Sequence, residues 1–357
     1  MGERFLMYGN EVIAEAAIRA GCRHYFGYPI TPQTEIAHYM AKRMPEVGGV
    51  FLQAESEIAA INMVYGAAGA GARVMTSSSS PGISLKQEGI SYIAGAELPA
   101  VIVNIVRCGP GLGGILPAQG DYFQAVKGGG HGDYKMVVLA PCSVQELYEL
   151  TVDAFNIADR YRVASMIMGD GMLGQMMEAV EFRDEEPVVS ADKDWAVTGT
   201  GMKRSKNIVT SIYIDPEVLE KFNEKLQKKY ALIARNEKRV EIFNCDNADV
   251  IVAAYGTVAR IVKNVIKTAE KEGIKVGLIR PITLWPFPDE AFDRYALTPK
   301  AFLTVEMNTG QMLEDVRLAV NGRRKVYFHG RTGGMVPTQQ EILERIRGIA
   351  GETADGQ

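Results

Sequence analysis

From Arg23 to about Asp170, short runs rich in β-branched residues alternate with stretches whose apolar positions recur every three or four residues. The pattern predicts strands at 23–27, 49–53, 73–77, 100–106, 135–139 and 163–168. Helices are predicted at 10–21, 34–44, 56–71, 83–95 and 143–159, the last opened by a capping box of Ser143 and Glu146. Such alternation is the signature of a parallel sheet covered by helices. Between Gly171 and Asn247 it breaks into polar, charge-rich sequence around Trp195, with a surface helix from Pro216 to about Lys238. A second alternation follows, with strands at 249–254, 274–279, 301–306 and 325–328 and helices at 257–272, 289–295, 311–320 and 337–348. Two α/β domains are therefore expected, at 1–170 and 248–357, joined by a connector at 171–247.

One charge stands out against this pattern. Glu57 is the last charged residue before fifteen residues, Ile58 to Ala72, that carry no ionisable group except Tyr65. Ala60, Ile61, Val64 and Ala68 follow at helical spacing, so Glu57 heads the core-facing stripe. A carboxylate there is partly dry and needs a donor or a cation. It either complements the helix N-terminus, worth about 0.3 to 1 kcal/mol, or is a tuned acid in a cleft.

In open parallel sheets ligands sit outside the carboxyl ends of the strands. After the first strand comes Tyr28-Pro29-Ile30-Thr31-Pro32, where two prolines stiffen the backbone. Thr31 is placed there either to present its hydroxyl to a ligand or to cap a helix with Pro32 as its first residue. After the third strand, Thr76 to Gly82 brings four serines, including Ser80, to a helix N-terminus whose free N–H groups suit an anion or a polar ring. Arg107 leaves the apolar run 101–106 and is positioned either to grip a carboxylate with its planar fork or to close an ion pair with Glu97 or Asp121. The run Gly109 to Gly114 formally matches G-x-G-x-x-G, but no helix follows directly and Pro110 removes an N–H, so it is not read as a dinucleotide site. His131, in a glycine-rich loop, reads as a locally bonded loop histidine.

Composition narrows the classes. The chain has 357 residues, 47% hydrophobic and 23% charged, with a net charge of −4. That mixture, without a twenty-residue apolar run or a signal-like N-terminus, predicts a soluble cytoplasmic protein with no nucleic-acid or membrane surface. Four cysteines and four histidines are scattered without ligand spacing, so no metal or cluster is expected on this chain alone.

Several of these stretches together resemble the α subunit of 2-oxoacid:ferredoxin oxidoreductases. The match is carried by Tyr28 to Pro32, Ala54-Glu55-Ser56-Glu57, Thr76 to Gly82, Arg107-Cys108-Gly109-Pro110 and Pro117-Ala118-Gln119-Gly120-Asp121, and continues through Gly256-Thr257 and Leu278 to Pro286. The wording of Ser77 to Glu88 and of Lys127 to Tyr134 is most similar to subunits named for 3-methyl-2-oxobutanoate (2-ketoisovalerate). The resemblance implies an α/β chain with a pyrimidine-type thiamine-diphosphate-binding domain and a transketolase C-terminal-like domain. It implies that Glu57 hydrogen-bonds the aminopyrimidine ring of the cofactor. Thr31 and Arg107 would touch the 2-oxoacid, while Tyr28, Pro29, Ile30, Ser80 and Gly82 would line the cofactor site.

It further implies an obligate β subunit carrying the diphosphate, Mg²⁺ and an iron–sulfur cluster, a γ subunit, a ferredoxin-like δ subunit, and coenzyme A as co-substrate. Three alternatives stay open: 2-oxoglutarate as substrate, whose second carboxylate calls for another cation such as Lys127; the β chain of a lipoamide-dependent 2-oxoacid dehydrogenase; and a non-catalytic scaffold subunit.

Overall fold

The computed structural model describes residues 4–183 and 192–351. The stretch 184–191 of the expected connector and the two chain ends lie outside the described residues. The chain runs β1 (Arg4–Tyr8), α1 (Gly9–Arg19), β2 (His24–Gly27), α2 (Thr34–Glu46), β3 (Val50–Gln53), α3 (Glu57–Gly69), β4 (Val74–Ser78), α4 (Ser80–Gly95) and β5 (Ala100–Val106). It continues through a short α5 (Tyr122–Val126), β6 (Val137–Leu139), α6 (Val144–Tyr161), β7 (Ala164–Asp170), α7 (Gly171–Gln175) and β8 (Met177–Glu181). After α8 (Pro216–Asn236) and β9 (Val240–Phe243) comes the second alternation. It comprises β10 (Val250–Ala253), α9 (Gly256–Lys271), β11 (Val276–Pro281), β12 (Thr283–Trp285), α10 (Asp289–Tyr295), β13 (Ala301–Glu306), α11 (Met312–Val320), β14 (Val326–Gly330) and α12 (Gln339–Gly351).

Three sheets result. Seven strands in the order β12-β6-β7-β5-β4-β2-β3 form the first, parallel except for β12; the second has the order β14-β13-β10-β11-β9, with β9 antiparallel; β1 and β8 form a small antiparallel pair. In the first sheet α1, α2 and α6 pack together on one face and α3 with α4 on the other. The chain thus leaves β2 and β4, which are neighbours, toward opposite faces. That reversal opens a crevice at their carboxyl ends, where ligands of doubly wound sheets bind.

The apolar cluster beneath α3 and α4 runs on into Ile251, Phe292, Phe302 and Met312, so the two sheets share one core. β12 lies after β11 in sequence yet pairs with β6 at the edge of the first sheet. Arg280, at the end of β11, is 2% exposed and clamps the same junction. Its Nη1 and Nη2 donate to both oxygens of Glu146 at 2.9 and 2.8 Å, and its Nε donates to Glu241 at 2.6 Å. Glu146 is the acid expected in a capping box. Ser143 does accept from its amide at 3.1 Å, while its carboxylate reaches back to the Cys142 amide at 2.9 Å as well as to Arg280.

β1, β8, β9, β12, α5 and α7 are additions to the sequence expectation. Each has five residues or fewer and, among the strands, all are edge or two-strand elements, too short for periodicity to register. Among the described residues no helix is long and apolar enough to cross a membrane. Replacing Arg280 with alanine would leave the part-exposed Glu146 carboxylate without its cation and Glu241 with Lys263 alone, and would open a gap at the junction, a loss on the order of 1 to 3 kcal/mol. A urea midpoint for Arg280→Ala should fall accordingly, and an unchanged midpoint would remove the clamp from the account of stability.

Candidate functional site

The crevice is built from the loops after β2, β3, β4 and β5. The first of these is held by backbone contacts: Asn10 Nδ2 donates to the Pro32 carbonyl at 2.8 Å, the Gln33 amide to the Ile30 carbonyl at 3.2 Å, and Gln33 Nε2 to the Tyr28 carbonyl at 3.3 Å. Helix α2 starts only at Thr34, with Gln33 as its N-cap. The alternative that Thr31 caps this helix is therefore corrected, because the turn made by Ile30 and Gln33 delays the first helical residue. Thr31 is exposed, and its carbonyl, not its hydroxyl, is engaged within the chain.

Glu57 is the first residue of α3, placed there by Ser56, whose side chain accepts from the Ala59 amide at 3.1 Å. It is 6% exposed, and among the described residues its carboxylate has no hydrogen-bond or ion-pair partner. Gly82, in the first turn of α4, lies against it. A Cβ at position 82 would sit 2.7 Å from Glu57 Oε1 and would collide with Ser78 Oγ, so only glycine lets α4 begin so close to the acid. The hydroxyls of Ser78 and Ser79 are buried there without a partner among the described residues.

Behind this pair lies Lys86, one turn further along α4 and 0% exposed. Its Nζ donates to Thr76 Oγ1 at 2.6 Å and to the Ser77 carbonyl at 3.1 Å. Burial pulls its pKa down to about 7, opposed by the charge of Glu57. Ser77 Oγ donates in turn to Gln33 Oε1 at 2.5 Å and lies 2.6 Å from the Tyr25 hydroxyl, which burial holds well above its ordinary pKa. Sequence reasoning passed over Lys86, although its place between Ile83 and Ile90 on the inward stripe of α4 was a usable signal.

Arg107 is 7% exposed, and its neighbours exclude the expected ion pair with Glu97 or Asp121. Glu97 is taken by Lys225 and Lys229, and Asp121 by Asn104 Nδ2 at 2.9 Å. The guanidinium instead donates to the Thr31 and Leu112 carbonyls, each at 3.0 Å, leaving Nε without a partner among the described residues. Ser80 clips the end of β5: its hydroxyl accepts from the Arg107 amide at 3.0 Å. The glycines at 109–114 turn the chain back so that Cys108 and Leu116 pair, and a Cβ on Gly113 would collide with the Cys108 carbonyl. They shape this return, and the segment contains no helix. His131 packs edge-on against Tyr92, away from the crevice.

A cavity of about 870 Å³ opens between the loops of the first sheet and those after β13 and β14. Arg107, Ser80, Asp121, Asn308 and Thr332 line it, whereas Glu57, Thr31 and Tyr28 to Ile30 do not. The sequence-derived candidates thus fall into two groups: Arg107 with the Thr31 carbonyl and Ser80 on one side of the α4 N-terminus, and Glu57 with Gly82 on the other. Burial raises the pKa of Asp121 against the bonds from Asn104 and Ser80. Gln119, whose role sequence did not reveal, fixes the cavity wall. Its amide and Oε1 pair with the Met307 carbonyl and amide at 3.0 and 2.9 Å, Nε2 donates to the Tyr255 carbonyl at 3.0 Å, and its carbonyl accepts from Asn308 Nδ2 at 2.8 Å.

A carboxylate without a donor and two orphaned hydroxyls among the described residues, with a glycine beside them, fit a polar heteroaromatic ring, and the profile that matches most of the chain is that of a thiamine-diphosphate-binding class of protein. Residues 15–241 match the family profile "Pyruvate flavodoxin/ferredoxin oxidoreductase, thiamine diP-bdg", and residues 248–342 match "Pyruvate:ferredoxin oxidoreductase core domain II". The chain belongs to the 2-oxoacid:ferredoxin oxidoreductase family, as a pyrimidine-type thiamine-diphosphate-binding domain followed by a transketolase C-terminal-like domain.

Ketoisovalerate oxidoreductase subunit VorB of Methanothermobacter thermautotrophicus is 52% identical over 350 residues, covering 98% of this chain and 99% of that one. The 2-oxoglutarate synthase subunit KorA of Archaeoglobus fulgidus is 39% identical over 351 residues, with 97% and 99% covered. A solved 2-oxoglutarate:ferredoxin oxidoreductase from Magnetococcus marinus, with 2-oxoglutarate, coenzyme A and succinyl-CoA bound, superposes with a TM-score of 0.89 at 28% identity. That match covers 98% of this chain and 66% of the other.

Lys86 gives this site a stability signature. Its folded pKa of about 7 lies below the ordinary 10.5, so between those values the unfolded chain binds a proton that the folded chain does not. Folding stability should rise with pH across that window, and the penalty should be complete below it. Lys86→Met should lose this rise and gain on the order of 4 kcal/mol over the unsubstituted chain below pH 7. Denaturant melts of the two proteins from pH 6 to 10 measure the difference, and parallel pH profiles would contradict it.

Proposed function

We propose that this chain is the α subunit of an oxidoreductase that converts 3-methyl-2-oxobutanoate and coenzyme A to the acyl-CoA and carbon dioxide, passing two electrons to ferredoxin. The observation that carries the reading is the partnerless carboxylate of Glu57 at the head of α3. That helix bears no charge beyond Glu57, yet it leaves Ile58 and Asn62 exposed. A helix this apolar is ordinarily covered. In this reading the cover is a β subunit that brings the diphosphate, Mg²⁺ and an iron–sulfur cluster, with γ and ferredoxin-like δ subunits completing a cytoplasmic complex. Residues 1–170 form the pyrimidine half-site, 171–247 the connector and 248–357 the second domain.

When bound, thiamine diphosphate supplies a nucleophilic thiazolium carbon and an electron sink for decarboxylation. Glu57 would accept the ring N–H and so set the proton position on the pyrimidine. Gly82 and Ser80 would admit the ring to the first turn of α4, and Tyr28, Pro29 and Ile30 would line its site. Arg107 offers its unpaired Nε side to the substrate carboxylate, with the Thr31 hydroxyl beside it. A branched aliphatic substrate is favoured over 2-oxoglutarate by charge. Arg107 is the single cation lining the cavity among the described residues, and Lys127 is held by Asp315 at 3.0 Å and Glu314 at 3.6 Å.

In the assembled enzyme Glu57→Gln should retain its melting temperature and lose about 10² to 10⁴ in kcat, the usual worth of a positioned acid or base. Turnover near the unsubstituted rate would take Glu57 out of the reaction. For Arg107→Ala, initial rates across a panel of 2-oxoacids should show kcat/KM lowered by roughly 100-fold, mainly through KM, the scale of a lost charged pair. The unsubstituted complex should prefer 3-methyl-2-oxobutanoate to 2-oxoglutarate in the same assay; the opposite order would overturn the substrate assignment.

A further inference from the structure

β5 carries a polar residue where its pattern calls for an apolar one. Asn104 interrupts the run Val101 to Val106, shares the face of Ile102 and Val106 by strand alternation, and is 0% exposed. A buried amide is unfavourable unless both its ends are bonded. Here both are: Oδ1 accepts from the Ser80 amide at 3.2 Å, and Nδ2 donates to Asp121 Oδ2 at 2.9 Å. Asn104 therefore joins the first turn of α4 to an acid in the cavity wall.

That acid has an unmet counterpart. Arg107 and Asp121 are the two charged residues lining the cavity of about 870 Å³ among the described residues. Both touch Ser80, whose hydroxyl accepts from the Arg107 amide at 3.0 Å and whose side chain also meets the Asp121 carboxylate. Yet the two form no ion pair. The guanidinium donates to the Thr31 and Leu112 carbonyls, which fix its plane without cancelling its charge. Asp121 is met by an amide and a hydroxyl, likewise neutral. Opposite charges lining one partly dry cavity attract, and an arginine fork is shaped for a carboxylate. A restraint is needed to hold them apart, and Asn104 supplies it.

We propose that Asn104 is a positioning residue for Arg107: by holding Asp121 against the first turn of α4, it stops the acid from closing an ion pair with the guanidinium and keeps the fork free for the carboxylate of a 2-oxoacid. The proposal rests on the reading that Arg107 receives the substrate carboxylate. A carboxylate of the chain itself is a competitor that never diffuses away. Once released, Asp121 would occupy the fork in a fraction of the molecules, and apparent affinity would fall in proportion to the fraction left open. Saturating substrate displaces such a competitor, so the loss falls on KM and not on kcat.

Steady-state kinetics on the assembled complex, with 3-methyl-2-oxobutanoate varied, test this. Asn104→Leu nearly keeps the volume and removes both hydrogen bonds. It should raise KM about tenfold, as when nine molecules in ten have the fork closed, with kcat held within about twofold. Adding Asp121→Asn, which removes the competing charge, should recover most of that KM, whereas a strand deformed by the leucine would not recover. Adding Arg107→Ala instead should abolish the effect of the leucine, because no fork is left to close. Asn104→Thr suits a strand and is too short to span both partners, so it gives the same comparison if the leucine chain does not assemble. A KM unmoved by either substitution, or raised equally with Asp121→Asn present, would overturn the role of Asn104. Arg107→Ala alone with an unaltered KM would instead overturn the carboxylate reading beneath it.

Discussion

A carboxylate enclosed at the first turn of α3, with no donor among the described residues, is the constraint around which the first domain is arranged. Burying an unpaired acid is unfavourable, so each neighbour either limits the cost or keeps the space in front of it open. Ser56 caps the helix so that its positive end falls on Glu57, and Gly82 withdraws a side chain that would otherwise fill the gap. The reversal of chain direction between β2 and β4 provides the crevice into which all of this faces. The incompleteness of the site is thus a built feature of the fold and not a defect of one residue.

The second domain is coupled to that site by polar contacts at two levels. Arg280 ties the end of β11 to the start of α6, and β12 extends the first sheet with residues from the second alternation. Nearer the cavity, Gln119 presents both its main chain and its amide to Met307, Tyr255 and Asn308. Asn308 is itself fixed by Glu306, a buried carboxyl whose pKa is raised by burial and which accepts from the first amides of α11. The cavity therefore takes its walls from the loops of both sheets, and these hydrogen bonds hold the two sets of loops together.

Much of this was legible in the residues. The alternation of strand and helix signals located the long elements to within a few residues, because β5 is an unbroken apolar run buried at every position and α6 is a long helix opened by Ser143 and Glu146. Glu57 and Arg107 were visible because each is a lone charge bordering a long apolar run. Thr31 was harder: a hydroxyl before a proline reads as a cap, and only the placement of Gln33 shows that the helix begins later. Lys86 sat in plain view on an apolar stripe, but what holds its ammonium is the hydroxyl of Thr76 and the carbonyl of Ser77 on β4, which the periodicity of α4 does not reveal. Gln119 could not be read at all, since its partners are 136 to 189 residues away in sequence. Short edge strands such as β12 escape for the same reason: their existence is decided by a neighbour's free edge rather than by their own pattern.

The pairing of Gln119 with Met307 has a consequence for how the chain tolerates change in length. Main chain and side chain amide together form a two-point registration, much like one rung of a ladder, between the loop after β5 and the loop after β13. Adding or deleting a single residue between Pro117 and Asp121 would slide that rung out of step and carry Asn308 away from the cavity. The stretch 197–214, whose Ile208, Ile212 and Ile214 stand exposed, meets the end of α3 through the Val197 amide and the Gly69 carbonyl at 2.9 Å and lines no part of that cavity. Insertions are thus confined by geometry: the molecule has room to vary where it faces outward, and none where its two halves are threaded together.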